Sequence, residues 1–252
     1  MKTTSETSAS RVYVAARLAE GVVVGLTKAQ AHHLRVVLRL AEGSPVAAFN
    51  GADGEWLCRI AAGPKGGAEL AVEQRLREPS VGRELSLLFA PLRHSRLDWL
   101  VEKATELGVS ELLPVTTART QVARLNPGRL HAIAVAAAEQ SERLGVPEIR
   151  PLEPLDRALA RWPAARPLLV CDESGAGEPI AAAAARLAAG PAALLIGPEG
   201  GFAQSELDAF GKLSFVSRVG LGPRVLRAET AALAGLAVLQ AVAGDWQSSR
   251  PR

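Results

Sequence analysis

"LLIGPEGGFAQSELDAF", Leu194–Phe210, passes from an apolar run to a corner of glycine and proline and then into an amphipathic pattern. An apolar run stopped by glycines reads as a buried strand, and "SELDAF" reads as a helix with Ser205 as its cap. The corner between them sets Gly197, Pro198, Gly200 and Gly201 around a single carboxylate, Glu199. Glycine permits positive φ and lets backbone approach a ligand closely, while N–H groups at a helix start attract polar or anionic atoms. The corner is therefore either one wall of a ligand site or an ordinary strand-to-helix turn, and a short glycine motif does not separate the two.

The neighbouring sequence sets the fold class. From Leu85 onward apolar runs alternate with helical patterns: "LSLLFAP", "SRLDWLVEKATELGV", "ELLPV", "PGRLHAIAVAAAEQSER", "RPLLVCDES", "EPIAAAAARLAAG", "PAALLIG", "QSELDAFG", "SFVSRVGLG" and "AETAALAGLAVLQAVAG". Such alternation implies an α/β domain, here residues 85–252, with a largely parallel sheet covered on both faces. Neither G-x-G-x-x-G nor G-x-x-x-x-G-K-[ST] follows any of these strands, and no G-x-S-x-G elbow occurs, so the common nucleotide-binding and hydrolase signatures are missing. The final helix is apolar around much of its circumference and must be buried, within the fold or against another subunit.

Residues 11–77 have a different rhythm, with short β-like runs punctuated by glycine, and predict a small barrel. "FNGADGEWLCRI" reads as a hairpin with Asn50-Gly51 and Asp53-Gly54 as turn dipeptides. One helical piece, "KAQAHHLRVVLRLAEG", places Arg35 and Arg39 four apart on one face. That face is either solvated surface or a site for RNA phosphates. Residues 78–84 are polar, carry proline and glycine, and form the linker, while residues 1–10 are expected to be disordered.

Composition narrows the class further. The 252 residues carry a net charge of +3, with five lysines against twenty-four arginines. Abundant alanine makes coding bias one explanation of the arginine excess, although a pI near 9.2 suits an acidic partner such as RNA. The start, "MKTTSETSAS", lacks the apolar core of a signal peptide, and no later run is long enough to span a bilayer, which predicts a cytoplasmic protein. Cys58 and Cys171 stand far apart without a Cys-x-x-Cys pair and are expected to be buried, reduced thiols. Adjacent His32 and His33 point in different directions on a helix or strand, which disfavours a shared metal.

The pair "IGPEGGF" and "LGPRVLRAETAALAGL" resembles the signature of the SPOUT superfamily, the knotted RNA methyltransferases that use S-adenosylmethionine. With "HHLRVVLRLAEGSPVAAFNG", "WLVEKATELGVSELLPVTTART" and "AAAEQSERLGVPEI" in order before them, the chain from about Arg11 to about Ala243 is similar to the SPOUT family that methylates uridine N3 in 16S ribosomal RNA. The resemblance implies a PUA-like barrel followed by a SPOUT domain with a deep trefoil knot, an exception to unknotted topology. It also implies a homodimer with the last helix at the interface and the small ribosomal subunit as partner, while the cysteine and histidine spacing predicts no metal. Two departures stand out: Arg93 and His94 where the family has a lysine after "APL", and Glu142, a negative charge, where a small residue is expected.

The resemblance places the cofactor among three loops: the end of "LLVCDES", the "GPEGG" corner and "GLGPRVLR". Gly197, Pro198, Glu199, Gly200, Gly201, Gly220, Leu221, Gly222 and Leu226 are the implied cofactor contacts, with backbone groups carrying much of the binding. Arg227 is the candidate for holding the uracil or stabilising its developing charge, and Glu199 or Glu229 for taking the N3 proton. Glu229 and Arg227 have structural readings too, as a first-turn acid of the last helix and its ion-pair partner. Arg11, Arg35, Arg39, Arg93, Arg119 and Arg124 are candidates for phosphate contacts. Two other functions fit this sequence: a SPOUT enzyme acting on a different RNA position, and an RNA-binding assembly protein that holds the cofactor without catalysis.

Overall fold

The structure, a computed structural model, describes residues 10–79, 82–122 and 124–247. Two compact units emerge, one of Met1–Ser80 with Ala138–Val146 and one of Val81–Ala137 with Pro147–Arg252. The linear boundary expected at residues 78–84 is thus supplemented by a second segment, "AEQSERLGV", that clusters with the first unit. Expected disorder over residues 1–10 lies outside the described residues except at Ser10, whose carbonyl accepts from Ala47 N–H at 3.0 Å.

The first unit contains β1 (Arg11–Tyr13), β2 (Val23–Gly25), α1 (Lys28–His32), β3 (Pro45–Phe49), β4 (Glu55–Ala62) and β5 (Ala68–Arg77). Its five-stranded sheet runs β1-β3-β4-β5-β2, with β1 parallel to β3 and the other neighbours antiparallel. Register shifts at Glu55/Trp56 and Leu57/Cys58 curl β4 against β5, as bulges do. Alternating residues such as Val46, Ala48, Trp56, Cys58, Ile60, Leu70 and Val72 meet in one apolar core. The β3–β4 hairpin forms as expected: Asp53 N–H donates to Asn50 Oδ1 at 2.8 Å, and Trp56 Nε1 donates to the Asp53 carbonyl at 2.8 Å.

The helical piece in this unit is shorter than its pattern suggests. Thr27 and Gln30 form a capping box at the start of α1, but after His32 the chain widens into a π-helical turn, His33–Val37. Arg39 then adopts a left-handed conformation with φ 56°. Arg35 and Arg39 are both exposed, yet Arg39 lies past the helical turns, so the two do not share the helix face that their spacing implied.

The second unit is an α/β domain whose eight-stranded sheet has only parallel pairings. In chain order it comprises β6 (Leu85–Phe89), α2 (His94–Glu106), β7 (Glu111–Thr116), α3 (Pro127–Gln140), β8 (Glu148–Ile149), β9 (Glu153–Pro154), α4 (Leu155–Ala160), β10 (Leu168–Cys171), β11 (Glu178–Pro179), α5 (Ile180–Ala185), β12 (Ala192–Ile196), α6 (Gln204–Phe210), β13 (Val216–Gly220) and α7 (Ala228–Ala243). Helix α3 begins in this unit, and its residues Ala138–Gln140 cluster with the first. The central strands β6, β10 and β12 are almost wholly buried and carry continuous apolar runs, as a sheet covered on both faces requires.

Strand order is the feature that positions a site. The sheet runs β11-β13-β10-β12-β6-β7-β8, so β12 lies on one side of β10 and β13 crosses back to the other. In open α/β sheets such a reversal opens a crevice at the carboxyl ends of the strands, where ligands bind. Cys171 at the end of β10 pairs with both Ile196 and Val219, so the three strands finish level. Helix α7 packs against β12, α2 and α5, with Ala232, Gly235, Leu236 and Leu239 buried. A β-carbon on Gly235 would sit 2.7 Å from Leu194 Cδ2, so that contact admits only glycine without rearrangement.

Candidate active site

Loops leaving the level ends of β10, β12 and β13 enclose a cavity of about 730 Å³. Its wall includes Cys171–Gly175 from the first loop, the Ile196–Glu199 corner with Gly201 and Phe202 from the second, and Gly220–Ala228 from the third. This volume falls in the range of small-molecule sites, and the lining mixes apolar side chains with a few charged ones. Among the described residues no group of three or more His, Cys, Asp or Glu side chains is arranged to hold a metal ion, and no helix is long and apolar enough to cross a membrane.

Of the residues singled out at the corner and third loop, Gly197, Pro198, Glu199, Gly201, Gly220, Leu221, Gly222, Leu226 and Arg227 line the cavity. Gly200 and Glu229 do not. Gly200 faces a shallow hollow on the other side of the corner, where its carbonyl accepts from Arg119 Nη1 at 2.7 Å. The need for glycine differs by position. A β-carbon on Gly197 would lie 2.9 Å from the Phe202 ring, so there the constraint is packing within the protein rather than ligand clearance. Gly201 and Gly222 have φ of 69° and 101°, conformations that L side chains rarely adopt, which lets the chain turn sharply at the rim. Ser205 lies within the first turn of α6; the cap is Ala203, whose N–H is satisfied at 2.7 Å by Glu206 Oε2 reaching back.

Arg227 is the N-cap of α7 and is exposed, and its guanidinium has no ion-pair partner among the described residues. The expected pairing of Arg227 with Glu229 does not form. Glu229 is 9 % exposed and instead faces Arg96 of α2, whose Nε lies 3.6 Å from Glu229 Oε1. Arg96 also pairs through Nη1 with Glu199 and lines the cavity. Local sequence carried no signal for this residue, because both its partners come from remote segments. Glu173 and Arg224 also line the cavity and are exposed; they stand inside two loops already marked as ligand contacts, so their positions were readable although neither was singled out.

The first loop is anchored by Asp172, which is buried and accepts from Arg218 Nε at 2.8 Å, from Ser174 N–H at 2.9 Å and from Ser174 Oγ at 2.9 Å. Burial alone would raise its carboxyl pKa, but the Ser174 N–H, the Arg218 guanidinium and the Ser174 hydroxyl outweigh it and hold the group below its ordinary value. Beside it Cys171 is half-buried rather than buried, and desolvation pushes its thiol up to about 12. Cys58 is fully buried in the first unit and is likewise pushed up to about 12. Neither thiol is a thiolate nucleophile at neutral pH.

The arginines assigned to RNA fall into two groups. Arg11 is engaged within the first unit: its Nε donates to Glu55 at 2.5 Å, its Nη1 to the carbonyls of Ala138 and Glu139, and its Nη2 to the Arg143 carbonyl at 2.7 Å. With its guanidinium also 4.3 Å from the Phe49 ring centroid, it is a structural tie within the first unit. Glu142 lies on the same segment, at φ 58°, and its carbonyl accepts from Arg77 at 3.0 Å. By contrast Arg35, Arg39, Arg93, Arg119 and Arg124 are exposed. Arg93 and Arg119 line the hollow behind the corner together, Arg93 donating to Gln121 Oε1 at 2.7 Å. The His94 side chain lies outside the described residues.

Comparison with known proteins gives this geometry a family. Residues 78–240 match a family model for an RNA methyltransferase domain, and residues 26–73 match one for an RNA methyltransferase PUA domain. The chain belongs to this family of RNA methyltransferases. It is 30 % identical over 230 residues to ribosomal RNA small subunit methyltransferase E of Rickettsia conorii, covering 90 % of this chain and 93 % of that one. Its identity to the Bacillus subtilis protein of the same name is 28 %, covering 88 % and 91 %. The crystal structure of ribosomal RNA small subunit methyltransferase E from Neisseria gonorrhoeae bound to S-adenosyl methionine superposes with a TM-score of 0.84 at 29 % identity, over 94 % of this chain and 99 % of that one. The expected PUA-like unit and α/β methyltransferase unit are both supported by these matches.

Proposed function

We propose that this protein methylates uridine N3 in 16S ribosomal RNA of the small subunit, with S-adenosylmethionine as methyl donor, in the cytoplasm. The observation that carries the reading is the cavity at the reversal of strand order in a chain that belongs to the RNA methyltransferase family. Its lining suits the donor: apolar Ile196, Leu221 and Leu226 would hold an adenine, backbone of the glycine turns would meet its polar edges, and the exposed Glu173 carboxylate is available to an ammonium or ribose hydroxyl. Gly197, Pro198, Glu199, Gly201, Gly220 and Gly222 complete the cradle, with Gly200 supporting it from behind.

When bound, S-adenosylmethionine supplies an electrophilic methyl group on a cationic sulfonium. Uracil N3 is mostly protonated at neutral pH, so the protein must orient the base and assist removal of one proton. Arg227 projects a permanent positive charge at the cavity rim, where it holds the uracil and stabilises negative charge developing on the ring. Glu199, which borders the cavity, accepts the N3 proton. Glu229, buried behind it, acts on the arrangement of the charged groups.

Incubating unmodified small subunits with the protein and S-adenosylmethionine, then analysing the RNA nucleosides by mass spectrometry, is expected to yield 3-methyluridine. A different methylated nucleoside would displace the acceptor assignment and leave the family intact. No methylation by protein that binds the cofactor would favour the RNA-binding reading.

Arg35, Arg39, Arg93, Arg119 and Arg124 supply phosphate contacts that position the RNA. Reversing charge at Arg35 and Arg39 together is expected to weaken RNA binding by about tenfold or more and to lower the salt dependence by about one counterion for each phosphate no longer neutralised. Unchanged affinity would remove the first unit's basic surface from the interface.

The protein acts as a homodimer in which the apolar residues of α7 left half-buried, among them Leu233, Val238 and Val242, meet a second copy. The same domain carries the deep trefoil knot, a reading supported by the return of β13 past β10. Light scattering is expected to give twice the chain mass, and a crystallographic trace should show the chain after β13 threaded through an earlier loop. A monomeric mass or an unthreaded trace would refute the respective statement.

A further inference from the structure

We infer that Arg96 is a positioning residue for methyl transfer, locking the Pro198–Glu199 ridge and the first turn of α7 into one arrangement before substrate binds. The inference rests on the methyltransferase reading above. One guanidinium joins three segments distant in sequence: it belongs to the first turn of α2, pairs with Glu199 of the corner, and faces Glu229 of α7 at 3.6 Å. Among the described residues it is the one ion-pair partner of either carboxylate.

Two features make this more than a surface ion pair. The Arg96 and Glu199 side chains are 38 % and 50 % exposed, so their pairing adds little to stability, and its consequence lies in where Glu199 is held. Glu199 borders both the cavity and the hollow lined by Arg93 and Arg119, so it stands on the ridge between the donor space and a basic surface suited to RNA phosphate. Behind the ridge, Glu229 Oε2 is buried and accepts no hydrogen bond from the described residues, which leaves Arg96 as the group that balances that carboxylate. Glu229 follows Arg227 by two residues on the same chain, so any shift that relieves Glu229 also moves the candidate uracil-binding arginine. A guanidinium can address both carboxylates through separate N–H groups, whereas lysine presents one point charge.

The test separates positioning from simple charge balance. Arg96→Met is expected to lower kcat by about 100-fold, the size of effect that misplacement of reacting groups produces. The dissociation constant for S-adenosylmethionine, measured by calorimetry, should change by less than about threefold, and Arg96→Lys should recover part of kcat. The double variant Arg96→Met with Glu229→Gln removes the uncompensated buried charge, so its Tm should return toward wild type while kcat stays low. Recovery of kcat together with Tm in the double variant would overturn the inference, as would an Arg96→Met enzyme that turns over normally. A wild-type protein that binds the cofactor but methylates no small-subunit RNA would instead fail the functional reading, and is assayed first for that reason.

Discussion

Arg227→Ala is expected to reduce kcat by about 10²–10³-fold, the cost of deleting a preorganised charge at the reacting centre, while leaving the cofactor dissociation constant within about threefold of wild type. The split follows from where Arg227 sits. It is exposed at the cavity rim, and among the described residues it forms no ion pair, so its deletion leaves no partner uncompensated. Its structural duty is performed by backbone: at φ −64° and ψ 152° it caps α7, and its carbonyl accepts from Ala231 N–H at 2.8 Å. Alanine can keep both. Single-turnover methylation and calorimetry on the same preparation read the two quantities separately. Equal loss of cofactor affinity would move Arg227 to the donor side of the site, and normal turnover would remove it from the mechanism.

Arg218→Met is expected to give the largest loss of stability, about 3 kcal/mol, because it leaves the Asp172 carboxylate buried without its cation. For a chain of this size that corresponds to a fall in Tm of roughly 6–12 °C. The Asp172 side chain is 2 % exposed, and among the described residues Arg218 is its ion-pair partner. The effect should depend on pH. Asp172 titrates below its ordinary value in the folded protein, so the stabilisation is present above the unfolded pKa of about 3.9 and is lost as the pH falls through the lower folded value. Thermal melts of wild type and variant should therefore differ most near neutrality and converge below about pH 4. A constant difference across that range would mean that Arg218 contributes through packing rather than charge.

Both predictions concern loops whose positions were legible in the chain. "LLIG" before "PEGG" and "SRVG" before "LGPRVLR" are local statements: apolar runs end at residues that break strands, and the next pattern is helical. The structure places strand ends at Ile196 and Gly220 and helices at Gln204–Phe210 and Ala228–Ala243 accordingly. The early end of the helix in "HHLRVVLRL" has a physical cause as well. Periodicity there continues through Arg39, but the backbone widens into a π turn and reverses into left-handed geometry, which no spacing of side chains reports.

By itself, then, the sequence determined the alternation of strands and helices, the β-rich first unit and the two glycine loops, because each depends on residues within a turn or two of one another. Tertiary structure alone decided that β13 returns beside β10 and so brings three loops around one cavity. It also decided the fate of individual charges. Arg11 is a candidate phosphate contact by sequence, yet it donates to Glu55 and to carbonyls of the Ala138–Val146 segment. Arg96 carries no local signal in the sequence, yet it pairs with Glu199 and Glu229. A side chain's conformational preferences are local, but its partners are set by the packing of elements distant along the chain, and the free energy of a charge depends on those partners and on its distance from water.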